Sequence, residues 1–268
     1  MPVATITDPA DPRLDDYRDL RDADLRRERG LFAVEGRLMV ERLLVASRFR
    51  TRSILATPDG LDALGAWLPR DGVEAYVASH EVVRDLVGFK FHRGVIALAE
   101  RTRPPAIETL AAGARTIIAL EDVRDPENVG GVFRNAQAFG ADVVGLDARS
   151  ADPLGRKAIR ASAGGALAVP FARTGEWPAA LASLRAMGFT VIALTPDPAA
   201  RDLASVIADR AAGIVLLLGS EEAGLRGVTR RLAHVEARIP TAPGVDSLNV
   251  AVAAGIALHV LRRLPSPH

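Results

Sequence analysis

Apolar and polar positions alternate along this chain in two successive series of short strands and helices. In the first hundred residues, apolar runs at Leu31–Gly36 and Ser53–Thr57 predict strands, and Arg37–Ala46 carries its apolar residues at helical spacing. In the second half, Thr116–Glu121 and Ile214–Gly219 are almost continuously apolar, which is typical of strands buried on both faces. Such strands separated by helical segments predict an α/β fold with a parallel sheet covered by helices.

The alternation breaks between Arg101 and Arg115, where two prolines and a glycine interrupt the pattern. We predict a domain boundary there, with a smaller α/β domain before it and a larger one after it. Within the joint, Ile107–Ala112 could form a helical turn, which would order the connection. The predicted division is residues 1–105, a linker at 106–115 and a second domain at 116–268.

The segment 11–29 is mainly polar, and its sparse apolar positions predict a helix on the surface. Those positions are Leu14, Tyr17, Leu20 and Leu25. The arginines of the segment are interleaved with acidic residues, which favours a solvated helix face over a contact with nucleic acid.

Composition narrows the class of protein. No apolar run approaches the roughly 20 residues that cross a bilayer, and the acidic N-terminal stretch lacks the apolar core of a signal peptide. The chain has no cysteine, which excludes disulfides and thiolate nucleophiles, and its five histidines are scattered without metal-ligand spacing. A formal net charge of +1 gives no general sign of a nucleic-acid binder. We expect a cytoplasmic protein with no membrane partner and no bound metal.

Candidate chemistry lies where the predicted strands end, because ligands bind at the carboxyl ends of parallel strands. After the first strand of the second half, Arg134 lies about one and a half helical turns beyond Asn128. Spacing alone favours an ordinary interpretation, in which Asn128 caps the helix and Arg134 is a surface arginine. After the strand Ile214–Gly219, Glu221 and Glu222 are typical of a solvated loop, with contact to a cationic ligand as the alternative.

The stretch Ile239–Leu261 contains a strand end, a loop rich in proline and glycine, and an uncharged alanine-rich helix. Ser247 can cap that helix. Asn249, in the predicted first turn, is either a satisfied core amide or a ligand contact, and the stretch by itself leaves both open. The chain has neither G-x-G-x-x-G after its first strand nor G-x-x-x-x-G-K-S/T, so dinucleotide and P-loop sites have no motif support.

Three blocks in order, NVGGVFRNAQAFGA, LLLGSEEAGL and IPTAPGVDSLNVAVAAGIAL, together resemble the SpoU–TrmH family of RNA ribose 2′-O-methyltransferases in the SPOUT class. The first half, through FAVEGRLMVERLL and GFKFHRGVIAL, resembles more loosely the L30e-like substrate-binding domain that often precedes this enzyme domain. The resemblance implies a C-terminal domain threaded into a deep trefoil knot. The loops of that knot would bind S-adenosylmethionine.

The resemblance also implies roles for individual residues. Arg134 matches the arginine at the reacting ribose, where it would act as a base or hold the adjacent phosphate, and Asn128 would support it or the RNA backbone. Glu221 would favour a positive partner, while Ser247 and Asn249 would orient the ribose or the cofactor. The residues expected near the cofactor are Leu194, Thr195, Gly219, Ile239, Leu248 and Asn249.

The implied activity is methylation of a ribose 2′-hydroxyl in structured RNA. An L30e-like domain resembles a ribosomal RNA-binding fold, which favours 23S-type rRNA as the substrate. The alternatives are a tRNA 2′-O-methyltransferase and a non-catalytic RNA-binding or ribosome-assembly protein of the same fold. The family is usually a homodimer that packs its C-terminal helices. Small residues in the last helix suit either that packing or a close contact within one chain: Ala251, Ala253, Ala254, Gly255 and Ala257.

Overall fold

Two separate β-sheets organise the chain, each in its own unit. The computed structural model describes residues 3–67, 72–88, 94–208 and 213–262. The first unit comprises Met1–Arg103 and Leu154–Ala168, and the second comprises Pro104–Pro153 and Val169–His268. The predicted linker at 106–115 therefore lies in the second unit, and Leu154–Ala168, which the sequence places in the second domain, lies in the first. Residues 89–93, within the N-terminal motif GFKFHRGVIAL, lie outside the described residues.

The described strands run in chain order between residues that the hydrophobic pattern largely predicts. They are β1 (Val3–Ile6), β2 (Leu31–Glu35), β3 (Thr51–Ala56), β4 (Glu74–Ala78), β5 (Val95–Glu100), β6 (Thr116–Glu121), β7 (Val143–Leu146), β8 (Phe171–Arg173), β9 (Thr190–Leu194), β10 (Arg201–Asp202), β11 (Ile214–Gly219) and β12 (Val235–Arg238). The sequence analysis did not predict the first strand, because it lies in the acidic N-terminal stretch.

The described α-helices fill the connections between these strands. They are α1 (Asp22–Asp24), α2 (Arg37–Ala46), α3 (Pro58–Leu64), α4 (His80–Val87), α5 (Ile107–Ala111), α6 (Pro126–Phe139), α7 (Arg156–Ala161), α8 (Gly165–Ala168), α9 (Trp177–Ala186), α10 (Leu203–Ala208), α11 (Gly227–Arg230) and α12 (Val250–Arg262). Within the described ranges, no helix has both the length and the apolar character needed to cross a membrane.

The first unit contains a mixed five-stranded sheet in the order β1-β4-β3-β5-β2. The predicted surface helix over residues 11–29 is wrong: the segment forms a 3₁₀ turn, the short α1 and a π turn. These irregular turns direct Leu14, Tyr17, Leu20 and Leu25 into the core, where each is at most 3% exposed. The buried Tyr17 hydroxyl is satisfied by Ser53 Oγ at 2.7 Å, and burial raises the pKa of Tyr17.

The second unit contains a seven-stranded sheet in the order β10-β12-β9-β11-β6-β7-β8. Every neighbouring pair of strands is parallel, which confirms the predicted parallel sheet. The two strands with the most continuous apolar runs, β6 and β11, lie side by side near the middle. Because all strands point the same way, the loops after β6, β9, β11 and β12 meet at one edge of the sheet.

The joint between the two sequence halves is a helix rather than an extended linker. Ile107 and Ala111 of α5 are 3% and 2% exposed and belong to the same core cluster as Trp177. Trp177 is fully buried and donates its indole N–H to the carbonyl of Leu120 at 2.8 Å. The helical turn that the sequence allows over Ile107–Ala112 is therefore present and is held by the core of the second unit.

Candidate active site

A cavity of about 430 Å³ opens at the carboxyl edge of the parallel sheet. Its walls come from the loops that follow β9, β11 and β12, together with the start of α12. Five of the six residues predicted to lie near a cofactor line it: Leu194, Thr195, Gly219, Ile239 and Leu248. The sixth, Asn249, lies between two lining residues in the sequence. Glu221 and Ser247 also line the cavity.

The loop after β11 (residues 219–225) folds back on itself as a tight turn. The carbonyl of Ser220 accepts the N–H of Gly224 at 2.9 Å, and the Ser220 hydroxyl accepts the N–H of Ala223 at 3.2 Å. A Cβ on Gly219 would lie 2.3 to 2.5 Å from backbone atoms of Gly224 and Leu225. Only glycine therefore fits at the end of β11 without opening this wall of the cavity.

A buried carboxylate fixes the far end of that loop. Glu121, at the end of β6, is 0% exposed. It accepts the backbone N–H of Arg226 at 2.8 Å, the Arg226 Nε–H at 2.8 Å and the Thr229 hydroxyl at 2.6 Å. The hydrogen bond that Arg226 donates to Glu121 raises the pKa of Arg226. Because these three donors satisfy both carboxylate oxygens, Glu121 ties the β11 loop and α11 to the central strand.

A second ion-pair group joins the remaining walls. Arg230 of α11 donates to Glu236 of β12 at 2.7 and 2.5 Å, and to Asp197 of the loop after β9 at 3.3 Å. The backbone N–H of Ala199, and then Arg230, hold the pKa of Asp197 below its usual value. These contacts connect three segments around one cavity. Neither Glu121 nor Arg230 is predicted from the sequence. The position of Glu121 at the end of an apolar run is the one sequence feature that indicates a role for it.

Asn249 connects the three sequence blocks. Its Nδ2 donates to Glu221 Oε1 at 2.6 Å and to Asn128 Oδ1 at 2.8 Å, while its Oδ1 accepts the N–H groups of Ala251 and Val252 at 3.0 and 3.2 Å. The backbone donors fix the orientation of the amide, because only its oxygen can accept from them. Asn249 is therefore both the N-cap of α12 and the donor that joins the other two blocks.

Two capping expectations are wrong. Asn249, and not Ser247, caps α12, because a cap must lie next to the first helical residue for its side chain to reach the following amides. Asn128 does not cap α6 either, since the helix begins at Pro126 and Asn128 lies inside its first turn. Asp125 caps that helix by accepting the N–H of Glu127 at 2.9 Å. The side chain of Asn128 is thereby left to bond Asn249.

Arg134 lies on the exposed side of α6. Its side chain makes no hydrogen bond or ion pair with any other residue in the described part of the chain. It does not line the cavity. The structure therefore brings together Asn128, Glu221 and Asn249 but not Arg134. Arg134 lies on the same helix as Asn128, with its guanidinium in solvent.

Helices α6 and α12 pack closely through small residues. A Cβ on Gly131 would lie 2.7 Å from the Cβ of Ala251, and one on Gly255 would lie 3.0 Å from Asn135 Nδ2. Asn135 Nδ2 also donates to the carbonyl of Ala251 at 2.7 Å. Ala251 and Gly255 of α12 therefore pack against α6 within this chain. The close packing holds Asn128 and Asn249 within bonding distance.

The charged side chains at the cavity have an excess of negative charge. Glu221, Glu222 and Asp246 line it, against the single cation of Arg230, which is already paired with other carboxylates. Leu218, Leu225 and Val250 add apolar wall, and glycine-rich loops expose backbone groups. A ligand with an apolar ring system and a positive charge suits this combination.

Comparison with known proteins gives a consistent result. The model of the SpoU rRNA Methylase family matches residues 115–259. An uncharacterized tRNA/rRNA methyltransferase of Mycobacterium tuberculosis is 42% identical over 264 residues, which cover 97% of this chain and 91% of that protein. A 23S rRNA (guanosine-2′-O-)-methyltransferase of a Burkholderia species is 39% identical over 65% of this chain and 70% of its own length.

A solved structure is similar over both units. The AdoMet-bound rRNA methyltransferase from Sinorhizobium meliloti has a TM-score of 0.82 and 29% sequence identity, and the match covers 97% of this chain and 98% of that one. The family match spans the cavity walls and both helices that carry Asn128 and Asn249.

Proposed function

The chain belongs to the SpoU rRNA methylase family, and from that premise we propose that it methylates a ribose 2′-hydroxyl of 23S-type rRNA with S-adenosylmethionine as methyl donor. The observation that carries the proposal is the hydrogen-bonded meeting of Asn128, Glu221 and Asn249 beside the cavity. Each comes from a different sequence block. Their convergence at the carboxyl edge of the sheet is the arrangement expected of a ligand site.

The residues of the cavity fit S-adenosylmethionine. A volume of about 430 Å³ lies within the usual range of small-ligand sites. Leu218, Ile239 and Leu248 offer apolar surface for an adenine ring, and the turn at residues 219–225 offers backbone donors and acceptors. The nearby carboxylates of Glu221 and Glu222 favour a cationic ligand electrostatically. A solved relative at 29% identity is described as AdoMet-bound, which supports the same occupant here.

The bound cofactor would supply an electrophilic methyl group on a positively charged sulfur. The chain's own contribution is to place the RNA ribose against it. In our proposal Asn249, held by its cap contacts, fixes Asn128 and Glu221 at one edge of the site. Holding two reactants in a near-attack geometry can supply several kcal/mol, up to roughly 7–11, of the barrier reduction.

We assign Arg134 to the RNA phosphate next to the reacting ribose. Its guanidinium is exposed and without a partner among the described residues, so all of its donors are available. A planar guanidinium binds phosphate bidentately. Acting as a base is far more demanding, because removing its proton at pH 7 costs roughly 7 kcal/mol or more.

The test is methyl transfer from labelled S-adenosylmethionine to in vitro-transcribed 23S rRNA, with total tRNA in parallel. We expect label in rRNA, on the 2′-oxygen, as a dinucleotide resistant to alkali. Label in tRNA alone would show that tRNA, and not rRNA, is the substrate. Cofactor binding with no transfer to either RNA would favour the non-catalytic alternative. Arg134→Ala should bind the cofactor normally and lose transfer, while Arg185→Ala, on α9, should keep both cofactor binding and transfer; full turnover in Arg134→Ala would remove Arg134 from the site.

We propose that the first unit is the L30e-like domain that binds the RNA substrate. Its α/β fold with a mixed five-stranded sheet supports this role, as does its position in the sequence before the methylase domain. Deleting residues 1–105 is a poor test, because Leu154–Ala168 belongs to the first unit and contains Ala158 and Ile159, which are at most 1% exposed. Cross-linking of full-length protein to 23S rRNA, followed by peptide mapping, tests it instead. Contacts confined to the second unit would reject the role.

We also propose the trefoil knot of the SPOUT class. Family membership supports it, together with the two candidate knot loops, Gly219–Leu225 and Pro240–Ser247, which both line one cavity. Stretching the chain by its ends tests this directly. An unknotted chain reaches roughly 3.3–3.6 Å per residue, whereas a knotted one stops short of that length.

A homodimer through α12 completes the proposal. Val252 and Ile256 are 50% and 37% exposed and lie one helical turn apart, away from the small residues that face α6. Apolar side chains repeated at i and i+4 form a stripe suited to a second helix. Light scattering should give twice the mass of the chain. Ile256→Asp should give the monomer mass, and an unchanged mass would place any interface elsewhere.

A further inference from the structure

The loops after β6 and β7 support each other at the carboxyl edge of the parallel sheet. Asp147, 2% exposed, accepts the N–H of Asp122 at 3.1 Å, and Ser150 Oγ accepts the N–H of Val123 at 3.1 Å. The N–H of Ala151 donates to the carbonyl of Val123 at 2.9 Å. The two loops are therefore joined by both side-chain and backbone hydrogen bonds.

Arg173 supports these loops from the neighbouring strand. Its guanidinium donates to the carbonyls of Asp147, Ser150 and Ala151 at 2.9 to 3.3 Å. An arginine that satisfies three carbonyls at once fixes the path of the β7 loop. Side chains carried by the two loops are therefore held in defined positions.

Two arginines project from these loops around one carboxylate. Arg124 donates to Asp122 at 2.7 and 3.2 Å, and Arg149 Nη1 lies 3.8 Å from the same carboxylate. The arginine side chains are 69% and 48% exposed, whereas that of Asp122 is 16% exposed. We call Asp122, Arg124 and Arg149 the arginine platform. It has one excess positive charge, and the arginines hold the pKa of Asp122 below its usual value.

Stability alone does not account for the arginine platform. Asp122 has a φ of +58°, a left-handed conformation that costs a non-glycine residue about 1–3 kcal/mol. Exposed ion pairs return only about 0–1 kcal/mol each. The platform therefore places two guanidiniums at this edge without a clear gain in folding energy, which is typical of a binding surface.

The arginine platform is continuous with the candidate active site. Arg124 immediately precedes Asp125, the N-cap of α6, and α6 carries Asn128 and Arg134. The hydrogen bond to Asp122 raises the pKa of Arg124, and the charge of Glu222, which lines the cavity, adds to this effect. An RNA strand bound at Arg134 would therefore pass near the platform.

We propose that the arginine platform binds the phosphate backbone of the RNA substrate beside the methylated nucleotide. The inference rests on the proposed function and adds residues to it. Guanidinium groups match phosphate oxygens in planar, bidentate contacts, and their exposed donors remain open to solvent. Asp122 orients the two arginines.

The test measures how RNA affinity depends on salt, using full-length protein and in vitro-transcribed 23S rRNA. The double variant Arg124→Gln/Arg149→Gln should bind RNA roughly tenfold more weakly. The plot of log K against log salt should become less steep by about 1 to 2, because fewer phosphates are neutralised. Cofactor affinity by calorimetry should stay at the wild-type value. The control is Arg185→Gln, an exposed arginine in the last turn of α9 whose guanidinium donates to the carbonyl of Leu232 at 2.7 Å; its slope should not change.

A second variant changes binding in the opposite direction. Asp122→Asn keeps a residue that tolerates the left-handed conformation and leaves both arginines unpaired, so RNA affinity should rise at low salt. If the wild-type protein binds and methylates rRNA and the double variant has the same RNA affinity and salt dependence, the platform is overturned and the proposed function stands. A wild-type protein that binds no RNA at any salt concentration would overturn the platform and the proposed function together.

Discussion

Asn249→Ser separates the two functions of Asn249. The amide caps α12 through its oxygen and joins Glu221 and Asn128 through its nitrogen. Serine is about as good an N-cap as asparagine, whereas alanine costs about 1 kcal/mol at that position. The serine hydroxyl is too short to reach both partners of the amide nitrogen. Both variants lose the two bonds of the amide nitrogen and should lose stability, but Asn249→Ala should lose about 1 kcal/mol more because it also loses the cap.

The functional loss should be the same in both variants. Each lost hydrogen bond contributes about 0.5–1.5 kcal/mol net, so two contribute about 1–3 kcal/mol, or roughly 5- to 150-fold in kcat/KM. Thermal unfolding should show a decrease about 2–4 °C larger for Asn249→Ala than for Asn249→Ser, because only alanine also loses the cap, while methyl transfer to rRNA should decrease in both. If Asn249→Ser keeps wild-type kcat/KM while Asn249→Ala unfolds earlier, Asn249 is a helix cap and nothing more.

Three further changes test other parts of the structure. Gly219→Ala puts a methyl group within 2.5 Å of the backbone of Gly224 and should open the cavity wall. Calorimetry should then show that cofactor affinity falls at least about tenfold, the equivalent of 1.4 kcal/mol. Unchanged affinity would contradict the tight turn. Glu121→Gln keeps the shape of the side chain but places an amide, which has only one acceptor oxygen, opposite three donors. Denaturant unfolding should show a free energy of unfolding lower by about 2–3 kcal/mol. An unchanged free energy would mean that the carboxylate is not needed. Tyr17→Phe removes the buried bond to Ser53 and should cost about 1–2 kcal/mol in the first unit, with methyl transfer by the folded enzyme unaffected.

The sequence predicts the local elements well where the apolar pattern is strong. Thr116–Glu121, Ile214–Gly219 and Arg37–Ala46 begin and end in the structure where the hydrophobic pattern places them. Period and continuity are local properties, so a short window is enough to recognise a buried strand or an amphipathic helix. The pattern fails over residues 11–29, because irregular turns bury apolar side chains without any repeating spacing.

The three sequence blocks indicate the family and most of the cavity wall. The sequence did not show that Asn249 caps α12, that Glu121 holds the β11 loop, or that Leu154–Ala168 packs with the first unit. Each of these contacts joins residues distant in the chain, and Asn249 and Asn128 are separated by 121 positions. Which distant segments meet depends on the strand order of the sheet and on the close packing of α6 with α12. The sequence by itself therefore determined the elements and the candidate residues, whereas the tertiary structure decided which of those residues form one site.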